Sequence, residues 1–326
     1  MDSNVSKNTN SHIFFKLRIN GKNSAISVEN LLKKELSLIL FLYQHKFNVQ
    51  IEQSEIATIL KNKVAIRDIY RDRQSENSVN EFGSCQHLMS VGYQCPLGLC
   101  LSKILQQSPT AIGQRFGRLL AERKDLDGND KSAIVIEILD SGWLNFYLTP
   151  QFIAGWLNSC FNLAQQGYRQ LEPSANSIVS DSAVFPVQYI HARCCSLLAL
   201  AAREKLIALA PNPQRNIAPF VRPLTIDWLD KQDNLWFKQS AEYDLLRQLL
   251  AVADAWVKDS DLHWVKLAIG LSQATEFFLA ECRFLGEVKA QHLQLAIARL
   301  GLIALVQFWL QRILREKLGS IAPKSI

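Results

Sequence analysis

The chain has 326 residues, 48% hydrophobic and 20% charged, with a formal net charge of +6. That length and apolar share can bury a substantial core and suggest two domains more readily than one, and the composition is that of a soluble globular protein. The positive charge suits an anionic partner, but Lys and Arg are spread through the chain without forming a basic tail, so charge alone supports nucleic acid only weakly. Seven cysteines, an odd number, with no secretory signal point to a reducing cytoplasm.

In chain order, residues 1–12 read as a disordered polar tail without an apolar h-region. Phe14 to Ile19 and Phe47 to Ile51 have the short, β-rich character of strands, whereas Glu29 to Tyr43 and Glu55 to Lys61 read as helices. A polar loop is expected over 71–84, then helices over Pro96 to Leu105 and Ala111 to Arg123. Ala133 to Leu139 and Leu144 to Leu148 flank Asp140-Ser141-Gly142-Trp143, whose Ser-Gly pair supplies turn chemistry for a hairpin. Pro150 suits the first turn of a helix running through Trp156 and Leu163.

From Gln166 to Phe185 the pattern lapses into Gly, Pro, Ser, Asn and Asp, which marks a linker. Beyond it, Tyr243, Leu246, Leu249, Leu250, Ala253 and Trp256 recur at helical spacing, as do Trp264, Leu267, Ala268, Leu271, Phe278 and Cys282. The segment Pro211 to Phe237, with four prolines, breaks the bundle's first helix, which follows Pro186, from the helix that carries Tyr243, and reads as an irregular excursion. The apolar run Gly301 to Leu310 is too short to span a bilayer and reads as a buried core helix. The division is therefore an α+β domain over 13–165, a linker over 166–185 and an all-α helical bundle over 186–326.

The segment Val187-Gln188-Tyr189-Ile190-His191-Ala192-Arg193 resembles the V-Q-Y-x-H-A-R segment that opens the anticodon-binding domain of arginyl-tRNA synthetases. The likeness continues through Glu242-Tyr243-Asp244-Leu245-Leu246-Arg247 and Leu267 to Arg283, and it ends in Ile297-Ala298-Arg299-Leu300 and an apolar helix similar to that family's DALR module. Gly92-Tyr93-Gln94 with Leu97 to Leu105, and the strand-turn-strand around Ser141 to Leu148, resemble the family's N-terminal additional domain. The resemblance implies a DALR-type bundle gripping an anticodon loop and an additional domain resting on the tRNA elbow, with arginine tRNA as the favoured ligand. The family's ending A-P-E-R-M is replaced here by Ala322-Pro323-Lys324-Ser325-Ile326. No H-I-G-H-like or K-M-S-K-like signature and no ATP-binding α/β stretch is found, so a non-catalytic protein without cofactor is expected. About twenty residues of linker stand where the family has its catalytic domain.

Tyr189 and Arg193 are four apart and share one helical face, where a phenol can stack on an unpaired base and a guanidinium can bind a base edge or phosphate. Without the motif, such a pair is an ordinary surface contact. Gln188 is a polar candidate on the neighbouring face, and His191 reads as a packing or capping residue. At the hairpin, Asp140, Trp143 and Asn145 are the elbow candidates, where an exposed indole next to an amide can stack on and pair with a flipped nucleotide. A tryptophan beside a strand equally well packs against its sheet. Cys85-Gln86-His87 with Cys95 and Cys100 lacks the paired spacing of a zinc site, so no metal is expected. No phosphate-binding glycine loop and no Ser-His-Asp or H-E-x-x-H constellation is found. The alternatives left open are a protein-interaction module that has lost RNA binding, docking on a synthetase or ribosome-associated partner, and the tRNA-binding subunit of a split ligase. No membrane partner is expected.

Overall fold

The computed structural model describes residues 12–16, 26–63, 65–66, 91–127, 133–167, 181–209, 220–258 and 263–325. They fall into two compact units, one from the described residues of 1–18 and 29–152, the other from those of 19–28 and 153–326. The loop expected over 71–84 and the Cys85–His87 segment lie outside the described residues.

The first unit is α+β. Its elements are β1 (His12–Lys16), α1 (Val28–Phe47), α2 (Gln53–Lys63), β2 (Ala65–Ile66), β3 (Gly92–Cys95), α3 (Leu97–Leu105), α4 (Pro109–Asp127), β4 (Ala133–Ile138) and β5 (Leu144–Leu148). The strands form one antiparallel sheet in the order β1-β4-β5-β3-β2. Strand alternation sends Tyr93, Cys95, Ile134, Ile136, Ile138, Leu144, Phe146 and Leu148 to one buried face. Helix α4 lies on that face, with Gly113 brought close to Ile138, and Phe116 of α4 stacks on Tyr43 of α1 with ring centres 4.8 Å apart.

The strand expected over Phe47 to Ile51 is not formed. Helix α1 continues to Phe47 and stops at Asn48, whose φ of 50° is left-handed, a conformation that asparagine tolerates better than most residues. Gln44 then closes the end: its carbonyl accepts from the Val49 amide, and its side chain accepts from the Ile51 amide. These local hydrogen bonds outcompete the β propensity of Val49 and Ile51.

The second unit is helical, with α5 (Pro150–Gly167), α6 (Asp181–Arg203), α7 (Ser240–Lys258), α8 (Trp264–Glu281), the short α9 (Glu287–Gln291) and α10 (Leu293–Arg312), which ends in a π-turn over Ile313–Lys317. A small hairpin, β6 (Ala208–Leu209) and β7 (Phe220–Arg222), follows α6. Helix α10 is buried nearly all round, from Ala296 to Gln311, so it is the core about which α6, α7 and α8 pack. Gly301 lets Ile226 and Trp228 approach its backbone so closely that a Cβ there would lie 2.4 Å from one and 2.5 Å from the other. The irregular segment before α7 thus contributes Ile226, Trp228, Leu235 and Phe237 to the core.

Two expectations are corrected here. Helix α5 from Ile153 onward belongs with the helical unit, so the units divide at Phe152/Ile153 instead of within 166–185. The cause is packing: Trp156 Nε1 donates to the Ile26 carbonyl at 2.8 Å, and Trp228 Nε1 donates to Asn158 Oδ1 at 2.8 Å. Ser27 joins them by donating to buried Asp254 at 2.8 Å. Second, α10 with its π-turn is 25 residues long, so length does not exclude a membrane span for it, nor for Val184–Arg203; 78% of the apolar window in Leu293–Lys317 is buried inside the bundle.

Candidate nucleic-acid interface

Helix α6 sorts the residues of its motif by face. Val184, Val187, Ile190, His191, Cys194, Leu198 and Ala201 point into the bundle, while Tyr189, 42% exposed, and Arg193 stand on the outer face. Tyr189 and Arg193 are one turn apart, as their spacing requires. Gln188 lies between the two faces and donates to both Ser320 Oγ and the Ile321 carbonyl at 3.2 Å, so the chain's final segment runs along α6 beside it.

His191 fastens that segment further. Its Nδ1 lies 2.8 Å from the Pro323 carbonyl, and its Nε2 lies 2.9 Å from the Gln307 amide nitrogen. A carbonyl only accepts, so Nδ1 carries the hydrogen and Nε2 accepts from Gln307. Burial pushes the imidazole down to about 4, partly offset by the Pro323 hydrogen bond and reinforced by nearby Arg315. This is a neutral structural histidine with both nitrogens occupied.

The neighbouring charges are cations. Arg193 favours the Cys194 thiolate and Lys324 that of Cys195, yet burial dominates both, pushing Cys195 up to about 12 and Cys194 higher. Neither is a reactive thiol. From Val184 to Ala202 and again from Lys317 to Ile326 the sequence contains no Asp or Glu. Glu316, beside Arg315, is held by Arg312 through two hydrogen bonds of 2.6 and 2.8 Å. Arg312 and Lys317 cover the indole of Trp256 at 4.1 and 4.9 Å, a cation–π clamp that fixes the π-turn carrying Arg315. Arg315 and Lys324 were not singled out from sequence, because only tertiary packing brings them to α6.

Glu242 and Arg299, also within the motif, have structural partners. Buried Glu242 accepts from the Lys238 and Gln239 amides at the start of α7 and pairs with Arg299 of α10 at 2.7 Å. Arg299 also donates to the Arg283 carbonyl. The pair fastens the start of α7 to the core helix, so it is no ligand site.

In the first unit the expected hairpin is present, and Gly142 makes its turn with φ of 80°. Its carbonyl accepts from the Gly98 amide at 2.8 Å, and a Cβ on Gly98 would fall 2.6 Å from that oxygen, so the turn seats on the start of α3. Asp140 is exposed at the tip, its carbonyl held by Thr110 Oγ1 at 2.7 Å, and Trp143 is half-buried. Asn145 is not with them. It is 4% exposed, accepting from Gln94 at 2.9 Å and donating to Glu137 at 3.1 Å, while the Tyr147 hydroxyl donates to the same carboxylate at 2.7 Å. The register pairs Gln94 with Asn145 and Asn145 with Glu137, which makes a polar row across three strands. The Asn145 amide, an elbow candidate from the sequence, is thus bound within the sheet. Cys95 is buried and Cys100 half-buried.

No family model matches the chain, and no solved structure matches it. The chain is similar to the arginine–tRNA ligase of Prochlorococcus marinus (strain MIT 9312), 26% identical over 137 residues, which are 41% of this chain and 21% of that enzyme. It spans about a fifth of that relative's length, and the likeness suggests a relationship to arginyl-tRNA synthetases.

Proposed function

We propose that this chain binds tRNA through the outer face of α6, without catalysing aminoacylation itself. The observation that carries this reading is Tyr189 beside Arg193 on the outer face of a helix that carries no acid from Val184 to Ala202, with Arg315 near His191 and Lys324 near Cys195 of the same helix. An aromatic ring beside a cation is the chemistry that grips an unpaired nucleotide: the ring stacks on the base, and the cation neutralises a phosphate. The helical unit then acts as a DALR-type anticodon-binding bundle, with Gln188 placing the final segment beside the stacking residues. Arginine tRNA is the favoured ligand because the similar protein is an arginine–tRNA ligase. Asp140 and Trp143 form a weaker second contact on the first unit. The setting is cytoplasmic, with no membrane.

The lack of catalysis rests on the sequence, which carries no adenylate-forming signature to position ATP, amino acid and tRNA end together. A second reading is that the chain is the tRNA-binding subunit of a ligase completed by another polypeptide, which its similarity to an arginine–tRNA ligase supports equally. Titration of the purified chain with arginine tRNA and a non-cognate tRNA, with charging measured in parallel, tests both. Tight binding without charging supports the first reading. Binding that recruits a catalytic partner from a native pull-down, with charging restored, supports the second. Absence of tRNA binding overturns both.

A further inference from the structure

The outer face of α6 does not begin at Tyr189. One turn earlier stands Phe185, 52% exposed, so Phe185, Tyr189 and Arg193 follow one another at i, i+4 and i+8 along a single stripe. Ile321, 74% exposed, belongs to the segment that Gln188 holds against the same helix. A lone exposed apolar side chain needs no explanation. Two aromatic rings in one stripe, about 6 Å apart along the axis and leading into a guanidinium, are a different matter.

We infer that Phe185 is a second stacking platform, so that α6 receives two consecutive unpaired bases of an RNA loop, one on Phe185 and one on Tyr189, with Arg193 taking the phosphate or base edge beyond them. This rests on the tRNA-binding reading and says how that face engages its ligand. The charge around the stripe selects the occupant. A helix face built for a protein groove continues its apolar anchors at i+7 and i+8, but here position 192 is a buried alanine, 193 is arginine and 196 is an exposed serine. Arg193 is the charged residue that follows Tyr189 on the stripe, Asp181 stands one turn before Phe185, and the helix has no acid from Val184 to Ala202. A guanidinium that follows paired rings complements a polyanion that also offers π-faces, and single-stranded RNA is that polyanion. Stacking on both rings also requires unpaired bases, so the face discriminates a loop from a duplex of equal charge.

The test uses the full chain, a stem-loop with the sequence of an arginine tRNA anticodon arm, and a fully paired duplex of the same length. F185A should weaken stem-loop binding about 5- to 150-fold, as loss of one stacked base does, and leave duplex binding unchanged. F185W should restore stem-loop affinity, and its indole emission should fall on addition of the stem-loop beyond the change seen with the parent chain's own tryptophans. If Y189A abolishes stem-loop binding while F185A binds like the parent and F185W shows no extra quenching, tRNA binding stands and the second platform is refuted. If F185A instead converts a dimer to a monomer in sedimentation without changing RNA affinity, the stripe is a protein contact and the inference fails. If the parent binds neither RNA, both readings fall together.

Discussion

Helix α6 and the β4–β5 hairpin present the same kind of candidate, an aromatic with a polar neighbour inside a segment resembling one family, yet the fold treats them in opposite ways. On α6, a period near 3.6 puts Tyr189 and Arg193 outside and His191 inside. On β5, a period of two puts Asn145 on the same face as Tyr147, opposite Glu137 and Gln94, and the carboxylate captures the amide. A motif residue on a helix is thus exposed or buried by its angle alone. One on a strand is decided by what lies across the register.

The largest effects are expected at the residues that the helical unit buries. Glu242→Ala should cost about 3–5 kcal/mol in chemical denaturation, because it strands Arg299 in the core and frees the Lys238 and Gln239 amides. A Glu242→Ala chain as stable as the parent would mean that the pair is not what holds α7 to α10. His191 gives the next effect. Its folded-state value near 4 lies below the ordinary 6.5, so its contribution is complete above pH 6.5 and lost as pH falls to 4. The loss is on the order of 3 kcal/mol, visible as a steep fall in unfolding free energy across that window. His191→Gln should flatten that fall, and an unchanged slope would show that another group sets it.

Asn145→Ala and Tyr189→Ala should separate the hairpin from the helix. The first should lower stability by about 1–3 kcal/mol, since Gln94 and Glu137 each lose a partner, and leave the folded protein's tRNA affinity nearly unchanged. The second should leave stability nearly unchanged and weaken tRNA binding by about 1–3 kcal/mol. If the two variants exchange these effects in thermal melts and binding titrations, the helix and the hairpin have been assigned the wrong way round. Asp140→Ala, at an exposed turn, should change affinity and stability by no more than about 0.5 kcal/mol. A loss exceeding that of Tyr189→Ala would make the hairpin the main grip.

Periodicity in the sequence by itself determined α1, α2, α4, α7, α8 and the hairpin, because side-chain period and turn chemistry are local properties. It also determined that Tyr189 and Arg193 share a face, since four residues make about one helical turn. It could not determine where α1 stops, because Gln44 closes that end by reaching seven residues along the chain. Nor could it place α5, whose Trp156 and Asn158 find their partners Ile26 and Trp228 130 and 70 residues away in sequence, or bring Arg315 and Lys324 to α6. Burial of Asn145 likewise waited on the register of three strands. Local dihedral preference acts between neighbours and is written in the residue order, whereas desolvation and long-range hydrogen bonding depend on which distant side chains the folded chain brings together.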